Sequence, residues 1–294
     1  MAGAMKHLFC FGFGLSAKTL APQLAAQGWK ISGTSRSEEG VRAIQALGYE
    51  AHIFDGSKPL SEDALQNVTH LLISAPPSDG GDPVLAVMQD QIAKRATQFE
   101  WVGYLSTTGV YGDAGGDWVS EESPLQPAGV RGTRRVQAEA AWRAIPDLCV
   151  MSFRLAGIYG PGRNVFESIR KGKARRIVKQ GQVFSRIHVA DIAGVLQASI
   201  AKPHCGRAYN VCDDAPCPPQ DVITWACEFM GVEPPALEAF ETAQLSPMAA
   251  SFYGESKRVS NARIKDELGY ELLYPDFQSG LRALVDEASL GAAD

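Results

Sequence analysis

The sequence is short of three features: long apolar runs, an excess of positive charge, and paired cysteine motifs. No apolar stretch among the 294 residues approaches the roughly 20 that a membrane-spanning helix needs, so we expect no membrane partner. The formal net charge is −5, whereas nucleic-acid-binding proteins usually present a basic face, so we expect no nucleic-acid partner. The apolar run at residues 8–15 is short and lacks a cleavage site of small residues, which argues against a signal peptide and predicts a cytoplasmic protein.

The six cysteines are scattered, and no two have the CxxC spacing of a redox or metal motif. Several lie in apolar runs typical of core strands, so we predict reduced, buried thiols. Cys212 and Cys217 flank an Asp-Asp-Ala-Pro turn and could approach each other. No histidine cluster lies beside them in sequence, so we predict neither a bridge nor a metal site there.

Short apolar runs alternate with amphipathic stretches through the first half of the chain. The pattern predicts strands over residues 7–11, 30–34, 50–54, 70–74, 101–106 and 149–154, and helices over 15–27, 39–47, 84–98 and 131–143. Strands that alternate with helices indicate right-handed βαβ units and a parallel sheet covered on both faces. The predicted fold class is therefore α/β, with a doubly wound Rossmann sheet.

The pattern changes after residue 157, where proline and glycine become frequent. We predict a Rossmann domain over residues 1–157 and a smaller, mostly substrate-binding region over 158–294. Segments near 184–215 are expected to return to the sheet, because residues 191–201 are typical of a helix that packs on it. Ligands of such sheets bind outside the carboxyl ends of the strands, where a late annex would select the substrate.

A glycine-rich turn follows the first predicted strand and opens the first helix. It reads Gly12-Phe13-Gly14-Leu15-Ser16-Ala17, which matches G-x-G-x-x-A. The first glycine permits a tight turn, the second lets the backbone approach a pyrophosphate, and the small last residue lets helix and strand pack closely. The N–H groups of the helix N-terminus then face the phosphates.

The end of the second strand distinguishes NAD from NADP. An NAD site has an acidic residue there for the ribose 2′-hydroxyl, but this chain has Ser35 and Arg36. A guanidinium with neighbouring hydroxyls suits a 2′-phosphate, so the sequence predicts NADP, with NAD as the second choice. A solvated surface arginine is the alternative interpretation. Glu38, the nearby acid, is expected in the first turn of the next helix.

Two further strand ends are candidates for cofactor contacts. Asp55 follows the third strand and could accept a hydrogen bond from the adenine amine, although an Asp-Gly turn explains it equally well. Ser74, Ala75 and Pro76 end the fourth strand, where small residues leave room beneath a cofactor.

The glycine-rich turn at residues 12–17 and four later segments resemble the extended short-chain dehydrogenase/reductases, the NAD(P)-dependent epimerase/dehydratase family. They are residues 105–112 (LSTTGVYG), 154–162 (RLAGIYGPG), 186–193 (RIHVADIA) and 259–261 (VSN). The resemblance covers most of the chain. In that family a Ser or Thr and a Tyr-x-x-x-Lys pair carry the proton chemistry, and members often pair through helices on the flank of the sheet. The resemblance therefore implies Thr107 as the hydroxyl residue, and a homodimer as an expectation.

The chain departs from the family at the tyrosine and the lysine. If Glu139 is the glutamate that usually follows the family's lysine by four residues, Arg135 occupies the lysine position and Arg131 the tyrosine position. Arginine, with a pKa above about 12, cannot act as an acid or base near neutral pH. Arg135 could still hold the cofactor ribose, and Arg131 could polarise a substrate oxygen or neutralise an anionic substrate. The chain thus resembles an atypical subgroup that lacks the tyrosine.

Other groups could supply a proton or contact the substrate. Tyr111 is a candidate acid, although the resemblance favours a structural role for it, as for Tyr159 and His188. Nucleotide-sugar members carry an arginine four residues before this histidine, where the chain has Phe184, which argues against a nucleotide-sugar substrate. The candidate substrate contacts are Arg163, Asn164 and Arg186.

Two functions fit these residues. The first is an NAD(P)-dependent epimerase, dehydratase or reductase acting on a small carbonyl or sugar-like molecule with unusual acid–base residues. The second, suggested by the missing tyrosine, is a non-catalytic NADP-binding redox sensor or regulatory protein. Fold alone does not separate them.

Overall fold

The apolar runs of the first half become the strands of one parallel sheet. The strands of the chain are β1 (His7–Phe11), β2 (Lys30–Ser35), β3 (Glu50–Ile53), β4 (His70–Ile73), β5 (Trp101–Thr107), β6 (Trp118–Val119), β7 (Val150–Leu155), β8 (Gly157–Tyr159), β9 (Arg176–Val178), β10 (Arg186–His188), β11 (Ala208–Val211), β12 (Leu237–Ala239) and β13 (Arg258–Val259). In this computed structural model, which describes residues 5–290, seven of them form a parallel sheet in the order β11-β7-β5-β4-β1-β2-β3. The predicted α/β class with a Rossmann-type sheet is confirmed.

Helices make up much of the rest of the described chain, and some of them flank this sheet. They are α1 (Leu15–Ala25), α2 (Glu38–Gln45), α3 (Leu85–Lys94), α4 (Val130–Arg143), α5 (Val165–Arg170), α6 (Val189–Ala201), α7 (Pro219–Met230), α8 (Pro247–Tyr253), α9 (Ala262–Asp266) and α10 (Phe277–Leu290). Across residues 5–290, no helix is both long enough and apolar enough to cross a membrane.

The sheet order reverses beside β1, a fully buried strand. Every residue of β1 is buried, and it pairs in parallel with β2 on one side and β4 on the other. The chain leaves this point in opposite directions, so the carboxyl ends of β1 and β4 flank the crevice in which doubly wound sheets bind ligands. The glycine-rich turn follows β1 directly.

The structure divides the chain into two compact units that interleave along the sequence. Unit 1 contains Met1–Thr107, Thr133–Arg154 and Ile192–Tyr209, and unit 2 contains Thr108–Gly132, Leu155–Asp191 and Asn210–Asp294. Apolar residues of β1, β4, α3 and α4 form the core of unit 1, with Phe9, Leu71 and Trp142 fully buried in it. Unit 2 has its own cluster, in which Phe166 packs with residues of α7 and α10. The predicted domain boundary at residue 157 stays a prediction.

Unit 2 contains strands that the sequence pattern did not indicate. They form three two-stranded parallel pairs: β10 with β8, β12 with β9, and β13 with β6. Each strand has only two or three residues, too few for an alternating pattern to appear in sequence. Helix α6 is close to its predicted range and begins two residues earlier, at Val189.

The prediction of reduced thiols is wrong for one pair. Cys149 and Cys205, 56 residues apart in sequence, form a disulfide with their Cα atoms 4.6 Å apart. Cys149 precedes β7 and Cys205 precedes β11, and these are adjacent strands at one edge of the sheet. Only the strand order brings the two thiols together, so spacing in sequence carried no signal. Cys212 and Cys217 are free, as predicted, and so are the buried Cys10 and Cys227.

Candidate active site

The glycine-rich turn is packed tightly between the ends of three strands. Gly12 has φ +86°, and a Cβ at this position would lie 3.2 Å from the backbone nitrogen of Ala75. Its N–H donates to the Thr34 hydroxyl near the end of β2, at 2.8 Å. Both the left-handed conformation and the close backbone approach require glycine here, in agreement with the predicted role of Gly12.

The N-terminus of α1 is left open for an anion. Gly14 is the N-cap residue and has no side chain that could accept a hydrogen bond from the first turn. Leu15 begins the helix, and the buried Ser16 and Ala17 pack its first turn inward. The Phe13 ring covers Gly33 of β2, where any added side chain would collide with it. The turn thus presents uncapped N–H groups in a rigid setting, as a pyrophosphate site requires.

The end of β2 carries an exposed guanidinium. Arg36 is solvent-exposed, and no hydrogen bond or ion pair holds it within residues 5–290. Ser35 is half-buried, while Ser37 caps α2 by accepting the Gly40 N–H at 3.2 Å. Glu38 lies in the first turn of α2, as predicted. The position next to the turn is therefore basic and accessible.

The other predicted cofactor contacts separate into two kinds. The Asp55 carboxylate accepts the N–H and the hydroxyl of Ser57 at 2.9 and 2.6 Å, and these hydrogen bonds lower its pKa. This geometry is the turn interpretation that the sequence left open. Ser74 and Ala75 instead donate their N–H groups to the Phe11 carbonyl, which fixes the end of β4 beside the glycine-rich turn. Pro76 follows them and is exposed.

Arg135 is bound to the strand that carries Thr107. Its Nη1 donates to the carbonyl of Leu105, and its guanidinium lies 5.8 Å from the centroid of the Tyr104 ring. Thr107 ends β5 two residues later and is half-buried, like Arg135. The structure therefore brings Arg135 and Thr107 to the same end of β5.

A buried carboxylate holds this part of α4 in place. Glu139 accepts hydrogen bonds from Arg154 through both oxygens, at 3.2 and 2.9 Å, and from the Ser106 hydroxyl. Arg143, one turn further along α4, donates to it at 2.8 Å. Because β5 supplies Ser106 and β7 supplies Arg154, the carboxylate joins α4 to two strands. The sequence marked Glu139 and Arg154 only as parts of motifs.

Asp82 is a second buried carboxylate, and the sequence pattern did not single it out. Asp82 accepts the N–H groups of Val84 and Leu85 at 2.9 and 3.1 Å, just ahead of α3, and the indole N–H of Trp142 at 3.1 Å. Burial raises its pKa, while these hydrogen bonds oppose the rise. Asp82 thereby connects the start of α3 to α4. A carboxylate three residues before the first residue of a helix was the available signal.

The remaining predicted residues lie in unit 2. Tyr111 is buried and donates its hydroxyl to the Asn210 side chain at 2.6 Å. Asn164 caps α5 by accepting the Glu167 N–H at 3.2 Å. Arg131 and Arg163 are exposed. Local structure therefore accounts for Tyr111 and Asn164, and the two arginines extend into solvent.

Arg186 belongs to a polar cluster within unit 2. Its Nη1 donates to the carbonyl of Phe184 at 3.0 Å and contacts the Cys217 Sγ at 3.1 Å. Asp213 is buried, and burial raises its pKa to about 7 even though Arg186 acts in the opposite direction. Burial lowers the pKa of His188 to about 4. The sequence drew attention to Cys217 only as a possible partner of Cys212, and to Asp213 only as part of the turn between them.

Two known proteins are similar to this chain over nearly their whole lengths. The chain is 29% identical over 283 residues to Protein YeeZ of Escherichia coli K12, covering 92% of this chain and 97% of that protein. It is 55% identical, with a TM-score of 0.92, to the structure of a conserved protein of unknown function from Silicibacter pomeroyi, over 96% of this chain and 99% of the other. No protein-family model matches the chain.

Other solved structures carry functional names. A protein from Methylobacillus flagellatus, provisionally named an NAD-dependent epimerase/dehydratase, is 26% identical with a TM-score of 0.74, over 98% of this chain and 100% of that one. The dTDP-glucose 4,6-dehydratase of Bacillus anthracis, solved in complex with NAD, is 18% identical with a TM-score of 0.78, over 98% of this chain and 97% of the other. These two structures are named as an epimerase/dehydratase and as a dehydratase, and their names do not favour the non-catalytic alternative.

Proposed function

The chain belongs to one family with the conserved Silicibacter pomeroyi protein, and on that premise we propose that it is an NADP-dependent enzyme of epimerase, dehydratase or reductase type. The proposal rests chiefly on the turn at Gly12, whose positive φ and close approach to the Ala75 backbone disfavour any side chain, and on the uncapped start of α1 that follows it. A dehydratase with a similar fold was solved in complex with NAD, which supports a nicotinamide dinucleotide as the cofactor.

Arg36 is the basis for choosing NADP. An exposed guanidinium without a protein partner among residues 5–290 lies one residue beyond β2, where NAD sites carry an acid. Charge-assisted hydrogen bonds from Arg36 and the Ser35 hydroxyl would hold the 2′-phosphate. Glu38 lies in the first turn of α2 and not at the end of β2, where NAD sites carry their acid.

A bound nicotinamide dinucleotide supplies hydride transfer to or from carbon. Arg135, fixed on the Leu105 carbonyl, would hold the nicotinamide ribose in place of the family's lysine. Thr107 would orient the substrate oxygen, and Arg131 would stabilise negative charge on it. Neither arginine transfers a proton. Because the buried Tyr111 hydroxyl already donates to Asn210, we assign the proton to water.

The substrate is proposed to be a small carbonyl or sugar-like molecule. Phe184 occupies the position at which the resemblance to nucleotide-sugar enzymes requires an arginine. The Arg186 guanidinium, held by the Phe184 carbonyl and by Cys217, remains a candidate contact. Arg163 is exposed and remains one too.

Two matched pairs of variants test the cofactor site. NADPH and NADH are titrated by fluorescence into the wild type, Gly12→Ala and Gly28→Ala. Both glycines have positive φ, but nothing lies within 4 Å of a Cβ at Gly28, so only Gly12→Ala should abolish binding. Equal affinity of the two variants would contradict the proposed site.

The second pair tests the choice of cofactor. Arg36→Gln should weaken NADPH binding by about tenfold or more and leave NADH unchanged, as expected for a lost charge-assisted contact. Arg42→Gln is the control, because Arg42 lies in the last turn of α2, away from the start of that helix. A wild type that prefers NADH would refute the role of Arg36.

A separate experiment tests turnover. A panel of carbonyl substrates is screened by measuring NADPH oxidation, and any activity found should be lost in Arg131→Ala.

A further inference from the structure

The chain between β4 and α3 is fixed at both ends and loosely held between them. At one end the N–H groups of Ser74 and Ala75 bind the Phe11 carbonyl, and at the other Asp82 binds the first N–H groups of α3. Residues 76–81, here called the β4–α3 loop, have one internal pair of backbone hydrogen bonds, between Ser78 and Gly81 at 2.9 and 3.1 Å. The loop begins where β4 ends, beside the glycine-rich turn, and runs to the start of α3.

One ion pair attaches this loop to α4. Asp79 lies in the middle of the loop with 94% of its side chain exposed, and its carboxylate pairs with Arg134, whose side chain is 27% exposed. A largely covered arginine side chain thus has an almost fully exposed aspartate side chain as its partner. Ion pairs with an exposed member contribute little to stability, so another anion can replace Asp79 at low cost.

Arg134 lies at the end of the sheet where the proposed chemistry takes place. The next residue, Arg135, binds the Leu105 carbonyl, two residues before Thr107. The first turns of α4 also carry Arg131, and the first turn has no acidic residue. Positive charge at a helix N-terminus opposes the helix dipole, so helix stability does not explain this set of arginines.

We propose that Arg134 binds the anionic group of the substrate, a carboxylate or phosphate, and that Asp79 occupies this position when substrate is absent. The inference rests on the proposed function and narrows its substrate class to a small anionic carbonyl compound. The planar guanidinium fork matches the paired oxygens of either oxyanion. Binding displaces Asp79 and releases the β4–α3 loop from α4.

A purely structural role for the pair leads to different expectations. If the pair only fastens the loop, removing either member has the same effect. If Asp79 competes with an anion for Arg134, removing Asp79 strengthens anion binding and removing Arg134 weakens it. The two single variants therefore distinguish the two roles by the direction of their effects.

The experiment measures anion binding to the protein saturated with NADP⁺, so that the dinucleotide site cannot bind the probe. Inorganic phosphate and malonate are titrated separately by calorimetry at constant ionic strength. For the preferred anion, Asp79→Asn should lower the dissociation constant about two- to fivefold, the gain expected from removing a weak internal competitor. Arg134→Gln should raise it about tenfold or more, and Arg42→Gln should leave it unchanged.

Three results would overturn the inference: wild-type affinity in Arg134→Gln, a change of the same direction in both variants, or no binding of either anion to the wild type and Asp79→Asn. The relative affinities for phosphate and malonate identify which oxyanion the site prefers. Thermal denaturation of each variant confirms that it is folded. Failure of the proposed function is seen separately, as failure of the wild type to bind NADPH.

Discussion

Removal of the disulfide between Cys149 and Cys205 should destabilise the protein measurably. The bond connects the chain just before β7 to the chain just before the edge strand β11. Cys205 is exposed and Cys149 is half-buried, so replacing both by serine removes little packing from the folded state. The main effect is on the unfolded chain, which gains the freedom that the cross-link removed.

The sequence separation sets the size of this effect. A cross-link across 56 residues lowers the entropy of the unfolded chain by about 14 cal/mol/K, or about 4 kcal/mol at 25 °C, in the chain-entropy relation. Measured values often fall below this relation. We therefore expect Cys149→Ser with Cys205→Ser to lower the free energy of unfolding by about 2–4 kcal/mol.

Denaturation in urea, followed by circular dichroism with and without reductant, measures this loss. Reductant should lower the stability of the wild type to that of the double variant and leave the double variant unchanged. Cys217→Ser is the control, because its thiol is free, and it should remain sensitive to reductant. A thiol titration of the denatured protein should find four thiols before reduction and six after it.

Two results would refute this reasoning. Six reactive thiols without reductant would mean that the bond does not form. Equal stability of the wild type and the double variant under oxidising conditions would mean that the bond does not restrict the unfolded chain.

Three further predictions concern buried charge. Burial lowers the pKa of His7, His70 and His188 to about 4. Below pH 6.5 the unfolded chain therefore binds protons at these residues that the folded chain does not bind. The free energy of unfolding should fall as the pH drops from 6.5 towards 4, by up to about 1.4 kcal/mol per pH unit for each histidine. A pH-independent urea midpoint over this range would contradict it. Asp213 acts in the opposite sense: with its pKa raised to about 7, it holds a proton in the folded state that the unfolded chain has lost, so stability falls as the pH rises from about 4 to 7. In the same assay, Asp213→Asn should therefore be more stable than the wild type at pH 8, and this advantage over the wild type should be smaller at pH 4. Glu139→Gln should lower the free energy of unfolding by about 3–5 kcal/mol, because Arg154 would be left buried without its carboxylate, and a loss below about 1 kcal/mol would show that the pair is unimportant.

The elements predicted best are those in which nearly every residue is buried, because their sequences are continuous apolar runs. Strand β1 has the predicted bounds because all five of its residues are apolar or buried, and a buried strand in a parallel sheet reads as one continuous run. The helices near residues 15–27 and 84–98 end earlier than predicted, at Ala25 and Lys94. The conformation of the glycine-rich turn could be predicted because it depends on the residues of the turn itself.

The features that escaped prediction depend on contacts between distant segments. The disulfide follows from the adjacency of β7 and β11, and the links from Glu139 to Ser106 and Arg154 follow from the packing of α4 on two strands. The Asp79–Arg134 pair joins segments 55 residues apart by the same kind of packing. Asp55 was ambiguous because an Asx turn and a ligand contact require the same residue, and only the Ser57 hydrogen bonds distinguish them.

The position of Glu139 on α4 has a consequence for protein engineering. Its contacts with Ser106, Arg143 and Arg154 fix the register of the helix from a point one turn beyond Arg135 and two turns beyond Arg131. The residues of the two preceding turns can therefore be substituted while the helix keeps its place. Arg131→Tyr combined with Arg135→Lys would rebuild a Tyr-x-x-x-Lys pair on an existing support, and an unchanged unfolding midpoint in that double variant would show that the site is exchangeable.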